Sequence, residues 1–137
     1  MTALFILSTI SLGDFIAKYA GTPYLYGGEG YRGIDCSALV QRYFQEVHGM
    51  YVPRTAHGQY MYLRGLGWHD TLPLPQAIAF WVTTNPHKPR GFKTHVAIVL
   101  RPITDSLFVT FEATRPYVCI KRRKLTHKVE VLYGWPL

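Results

Sequence analysis

The chain has 137 residues, 48% apolar and 15% aromatic, with 15 Lys and Arg against 8 Asp and Glu, for a formal net charge of +7. That length supports one domain spanning residues 1–137 with its own core, and that apolar fraction excludes an intrinsically disordered chain. The 12 Gly and 9 Pro exclude a long coiled coil, and no apolar run reaches the roughly 18 residues of a membrane span.

The apolar start Ala3–Leu7 lacks the basic flank of a signal peptide, the first Lys being Lys18, and reads as part of the fold. Ser11, with Asp14 three residues on, marks a helix start. Phe15, Ile16, Tyr19 and Ala20 form its apolar stripe, and Gly21-Thr22-Pro23 ends it. Residues 27–33 form a Gly-rich loop without the Gly-Lys-Ser/Thr ending of a phosphate loop. Asp35 is the N-cap of a second helix carrying Leu39, Val40, Tyr43, Phe44 and Val47 at helical spacing and closed by Gly49. Residues 51–72 read as irregular or weakly helical. After Pro75 the period changes to that of strands at 78–82, 94–100, 107–113, 117–122 and 129–133. Helices first and an antiparallel meander of about five strands last predict an α+β fold.

The charge has a location. Residues 1–85 carry five basic and five acidic side chains, whereas residues 86–137 carry ten basic and three acidic. The densest point is Lys121, Arg122, Arg123 and Lys124, predicted to form a docking edge for anionic polymer outside any active centre. A nucleic-acid partner is not expected, because stacking aromatics would have to be interleaved with the basic residues.

Cys36 falls at the first turn of the second helix, where unpaired N–H groups and the helix dipole favour a thiolate and can stabilise an oxyanion. Position alone leaves a buried structural Cys equally open. Asp35 works against the thiolate, so a nearby His has to compensate. His95 opens an apolar strand. With a four-residue loop at 102–105, Arg101 pairs with Ser106 and His95 falls directly opposite Glu112, within reach of a carboxylate–imidazole hydrogen bond. Cys36, His95 and Glu112 then stand as nucleophile, base and orienter. Cys119, mid-strand, reads as structural, and two thiols are too few for a disulfide scaffold. His48, His57, His69, His87 and His127 show no metal-ligand spacing, and neither metal nor cofactor is expected. His57, near the Pro-Arg-Thr segment, reads as a surface or packing residue, with contact to a substrate as the alternative.

Four blocks carry a resemblance: Thr22-Pro23-Tyr24-Leu25-Tyr26-Gly27-Gly28, Gly33-Ile34-Asp35-Cys36-Ser37, Val52-Pro53-Arg54-Thr55 and His95-Val96-Ala97-Ile98. In order and approximate spacing the chain resembles the NlpC/P60 cysteine peptidases over residues 11–135. The resemblance implies a papain-like fold and hydrolysis of peptidoglycan stem peptides between γ-D-glutamate and the diamino acid. It implies Cys36 as nucleophile and His95 as base. Tyr24 would serve the oxyanion site, Asp35 and Ser37 would hold the amino end of the stem peptide, and Thr55 would lie at the substrate pocket. The chain departs from the family pattern at Ala38, at Gln76-Ala77 in place of Gly-Asp, and at Glu112, where the third catalytic residue is commonly His. Residues 83–93 read as an insertion bordering the cleft. The rivals are a non-catalytic wall- or polyanion-binding module of the same fold and a Cys-dependent amidase or acyltransferase on another amide. Without a signal peptide the chain is expected to be cytoplasmic as synthesised, with delivery to a wall by a phage or another non-classical route.

Overall fold

Helix α1 (Leu12–Tyr19) begins at Ser11, whose hydroxyl accepts from the Asp14 N–H at 3.0 Å, and it buries Phe15 and Tyr19. The computed structural model describes residues 9–134, so the apolar start Ala3–Leu7 lies outside the described residues. A hairpin of two short strands, β1 (Glu29–Gly30) and β2 (Gly33–Ile34), occupies the Gly-rich segment. Gly28 is required there, because a Cβ at that position would collide with the Gly33 carbonyl. Helix α2 (Cys36–His48) starts at Asp35, whose carboxylate accepts from the Ala38 N–H at 2.8 Å, and it stops at Gly49 in the left-handed conformation. Both ends therefore satisfy backbone groups that the helix itself leaves unpaired. Leu39, Val40, Tyr43 and Phe44 are fully buried along its inner face.

The segment expected to be irregular or weakly helical contains a third helix, α3 (Ala56–Gly65), capped by Thr55, whose hydroxyl accepts from the Gly58 N–H at 3.1 Å. Its apolar periodicity is weak and it holds two glycines, so propensity does not announce it. Tertiary contacts hold it: Leu63 and Gln59 are fully buried, and Gln59 Nε2 donates to the Ser37 carbonyl at 2.9 Å and the Pro53 carbonyl at 2.8 Å. Gln59 thereby ties the start of α2 to the loop that leads into α3.

Six strands form the main sheet rather than about five: β3 (His69–Asp70), β4 (Ile78–Val82), β5 (Lys93–Pro102), β6 (Leu107–Ala113), β7 (Val118–Lys124) and β8 (Val129–Tyr133). Their order is β3-β8-β4-β5-β6-β7 and every pairing is antiparallel. The expected meander therefore holds only from β4 to β7. The last strand crosses back to the far side of β4, and β7 is left as an edge. One cluster joins Ile78, Phe80, Val96, Ile98 and Phe111 to the helices. A smaller one gathers Ala79, Val99, Phe108 and Val131, with Trp81 against it. Alternation along each strand separates the two.

Two details of the sheet bear on the site. The β5–β6 register differs from the sequence expectation. Pro102 pairs with Phe108 and Arg101 with Val109, a bulge follows, and Val99 then pairs with Thr110 and Ile98 with Phe111. Glu112 is thus level with Ala97, two residues along the strand from His95. The hairpin closes on Pro102 and Phe108 rather than on Arg101 and Ser106, which carries Glu112 away from the position opposite His95, and the bulge then brings the pairing back by one residue. The second detail is Gln76, which adopts a left-handed φ of 66°. A side chain in that conformation costs about 1–2 kcal/mol, which fits the glycine that the family pattern carries at this point. Here the Tyr43 hydroxyl donates to Gln76 Oε1 at 2.6 Å and the Gln76 N–H donates to the Val99 carbonyl at 2.7 Å, and these bonds hold the residue in place.

Candidate active site

Cys36 is the first residue of α2 and borders a cleft of about 480 Å³. The cleft is lined by Tyr24, Asp35, Ser37 and Thr55, all four residues expected at a substrate pocket, and also by Arg54 and His57. Lys88, Phe92 and Lys93 line it too, so the 83–93 segment borders the cleft. Both cysteines are free thiols. Among the described residues, no group of three or more His, Cys, Asp or Glu side chains could hold a metal ion, and no helix is long and apolar enough to cross a membrane.

His95 connects the thiol to a buried carboxylate. Its Nε2 lies 2.7 Å from Glu112 Oε1, and Cys36 is within hydrogen-bonding reach of the same imidazole, which leaves Nδ1 for the sulfur. The contact with Glu112 forms although the two residues are not directly opposite, because diagonal neighbours across a pair of strands remain within reach of long side chains. Trp81 is the residue directly opposite His95 on β4, with ring centroids 5.1 Å apart. Burial works against the charged imidazole, but the hydrogen bonds to Cys36 and Glu112 outweigh it and raise the His95 pKa from 6.5 to about 9.

Glu112 has no exposed surface. A lone carboxylate there would cost several kcal/mol of desolvation, and partners on three sides offset it. Thr110 donates its hydroxyl to Oε2, Arg123 Nε donates to Oε2 at 2.9 Å, and Arg123 Nη2 donates to Oε1. Burial pushes this carboxyl up, yet the bonds from Arg123, His95 and Thr110 hold it at about 2. Arg123 corrects an expectation. The run Lys121–Lys124 is not a single docking edge outside the active centre, because β7 turns alternate side chains to opposite faces. Arg122 and Lys124 are exposed, while Arg123 reaches the carboxylate behind His95.

The corner around Asp35 is equally interconnected. Asp35 accepts from Arg54 Nη1 and Nη2, both at 2.9 Å, from the Gly27 N–H at 3.0 Å, and from the Ala38 N–H that it caps. Burial would raise its carboxyl, but Arg54 and these amides hold it below the usual carboxylate range. The Ser37 hydroxyl donates to Asp35 at 3.3 Å and accepts from Arg54 at 2.8 Å. Asp35, Ser37 and Thr55 therefore all have oxygens committed within the protein. Arg54 belongs to a motif block but carried no assigned role, and the exposed Glu29, 3.5 Å from Arg54 Nε, carried none either.

Tyr24 stands beside the sulfur. Burial, followed by the charges of Cys36 and Asp35, holds its phenol above the ordinary value, so it remains an O–H donor through neutral pH. His57 is a cleft residue rather than a surface one. Its Nδ1 accepts from the Lys93 N–H at 3.1 Å, and its ring stacks on Phe92 at 4.3 Å. Lys88 lies 4.9 Å from the centre of the Phe92 ring. No local pattern links residues 57, 88 and 92, and only the tertiary fold assembles them.

The model of the NlpC/P60 family matches residues 21–102. The chain is 50% identical over 44 residues to the gamma-DL-glutamyl hydrolase of Bacillus subtilis, a stretch covering 31% of this chain and 11% of that protein. It is 44% identical over 46 residues to a protein of Escherichia coli named murein DD-endopeptidase MepS/murein LD-carboxypeptidase, covering 34% and 24%. The chain thus spans well under half the length of these relatives. The crystal structure of the NlpC/P60 domain of the peptidoglycan hydrolase SagA superposes with a TM-score of 0.62 at 21% identity, covering 91% of this chain and 97% of that one. An NLP/P60 family protein of Staphylococcus aureus gives 0.61 at 24% identity, covering 93% and 41%. Those two likenesses establish the shared fold. With more than half of its length matched by the family model, the chain belongs to the NlpC/P60 family.

Proposed function

We propose that the chain is a cysteine peptidase that hydrolyses peptidoglycan stem peptides at the bond between γ-D-glutamate and the diamino acid, through Cys36, His95 and Glu112. The observation that carries this reading is the linked set of a thiol at a helix start, an imidazole and a buried carboxylate, with the thiol opening on the cleft. The Cys36 sulfur attacks the scissile carbonyl carbon. The resulting oxyanion meets the Tyr24 hydroxyl and the first N–H groups of α2, which have no intrahelical acceptor. His95 gives its proton to the leaving amine, leaving an acyl group on the sulfur. The neutral imidazole then takes a proton from water, whose oxygen attacks the thioester and releases the acid.

Asp35 lines the cleft and is held ionised by Arg54, so it suits a free ammonium group on the substrate. Lys88, exposed and also lining the cleft, suits a carboxylate. The exposed pair Arg122 and Lys124 is what remains of the basic run for contact with anionic wall polymer.

The test is digestion of two soluble stem peptides that differ only in their amino end, one free and one acetylated. The free peptide should be cut after γ-D-glutamate, and acetylation should lower kcat/KM about tenfold or more, the loss of one charge-assisted contact. Equal turnover of the two would remove the amino-end assignment. No cleavage of either peptide would remove the proposed substrate.

A further inference from the structure

We propose that Arg123 is a positioning residue of this site, fixing the Glu112 carboxylate in the orientation that aligns the His95 imidazole with Cys36. The inference rests on the hydrolase reading above and assigns a residue that belongs to none of the four motif blocks.

The geometry is a fork. Nε and Nη2 of Arg123 donate to different oxygens of Glu112, which fixes the plane of the carboxylate as well as its position. Oε1 is shared with His95, and Oε2 is shared with Thr110. Arg123 Nη2 and His95 Nε2 are 3.3 Å apart, side by side on the same oxygen. The guanidinium also lies 4.9 Å from the centre of the Trp81 ring, and Trp81 is the strand neighbour of His95. Arg123 therefore touches both the carboxylate and the aromatic ring that bound the imidazole. A lysine elsewhere in the run could supply charge, but it could not supply the planar fork.

Arg123 also divides the carboxylate's charge. His95 has to hold a proton for the leaving amine and then accept one from water. A Glu112 paired with His95 alone would bind that proton more tightly. The other groups around the pair are Cys36 on α2, and on β7 Cys119 and Lys121, which stand opposite Glu112 and Thr110. Among these, Arg123 alone holds both Glu112 oxygens.

The experiment compares wild type, R123Q and R123K, using kcat and KM across pH on a soluble stem peptide and, independently of turnover, the His95 imidazole titration followed by NMR. R123Q should lower kcat about tenfold with KM changed less than twofold. It should move both limbs of the kcat profile to higher pH, and the His95 titration should move upward with them. R123K should return the limbs toward wild type while recovering kcat only in part. Wild-type kcat and limbs in R123Q would overturn the proposal. A uniform loss at every pH with unmoved limbs would overturn it too, since that marks a structural role. If R123Q does not fold, R123M, equally without the charge and the fork, decides by the same two readouts. Failure of the hydrolase reading is separately visible as absence of turnover by wild type, and the NMR comparison still tests the Arg123–Glu112–His95 linkage in that case.

Discussion

Cys36→Ala abolishes release of peptide fragments from purified peptidoglycan, an expected loss of about a thousandfold or more. Removing the nucleophile removes the covalent route, and the oxyanion donors that remain have no bond to stabilise. The variant should still fold. Alanine favours helix, and the cap of α2 comes from Asp35 rather than from the thiol. Circular dichroism and thermal unfolding like those of wild type, together with lost turnover, are the expected pair of results. Unchanged turnover by a folded variant would contradict the thiol mechanism. A non-catalytic module of the same fold would instead show no turnover in either protein.

His95→Ala is expected to cost about 10²–10⁴-fold in kcat, the usual range for a positioned acid–base group. Glu112→Gln should cost less, about tenfold to a hundredfold, because the imidazole survives and only its orientation and charge partner are lost. The pH dependence separates the two roles. The folded pKa of His95 is raised, so its proton is held through neutral pH and lost as pH rises through about 9. The wild-type kcat/KM profile should therefore fall on its alkaline side near pH 9. The same sign applies to stability: the contribution of this pair is complete below pH 6.5 and disappears as pH climbs through about 9. In Glu112→Gln one of the two bonds that raise His95 loses its charge, and the alkaline limb should move down. Loss as deep as that of His95→Ala, or an unmoved limb, would argue against an orienting carboxylate.

What could be read from the sequence follows the range of each signal. Asp35 before an apolar helical stripe, with Gly49 behind it, is local chemistry, and it located the start of α2 and so Cys36. Glu112 was legible as an acid interrupting an apolar strand, which requires a partner. The route to that partner was wrong, because the β5–β6 hairpin closes on Pro102 and Phe108 rather than on Arg101 and Ser106, and the contact with His95 is diagonal. Arg123 was missed for a related reason. Four consecutive basic residues read as one patch, whereas a strand sends every second one to the other face. Thr55 was read for the pocket, which it lines, but its hydroxyl caps a helix that composition concealed. Asp35 was read as a holder of the stem peptide's amino end, and its two oxygens also bond Arg54 and backbone amides. Nothing local records that Arg54, nineteen residues away, folds back onto it.

The central claim is that Cys36 carries the acyl group of a stem peptide during turnover. Wild type and Cys36→Ala should be mixed with a soluble stem peptide bearing a free amino end, quenched in acid within the first turnovers, and weighed intact by mass spectrometry. The account predicts a wild-type species heavier by the acyl part of the peptide, mapped to the fragment containing Cys36, with none in the variant. Peptide cleavage by wild type with the adduct on Cys119, or cleavage that persists in Cys36→Ala, would contradict it.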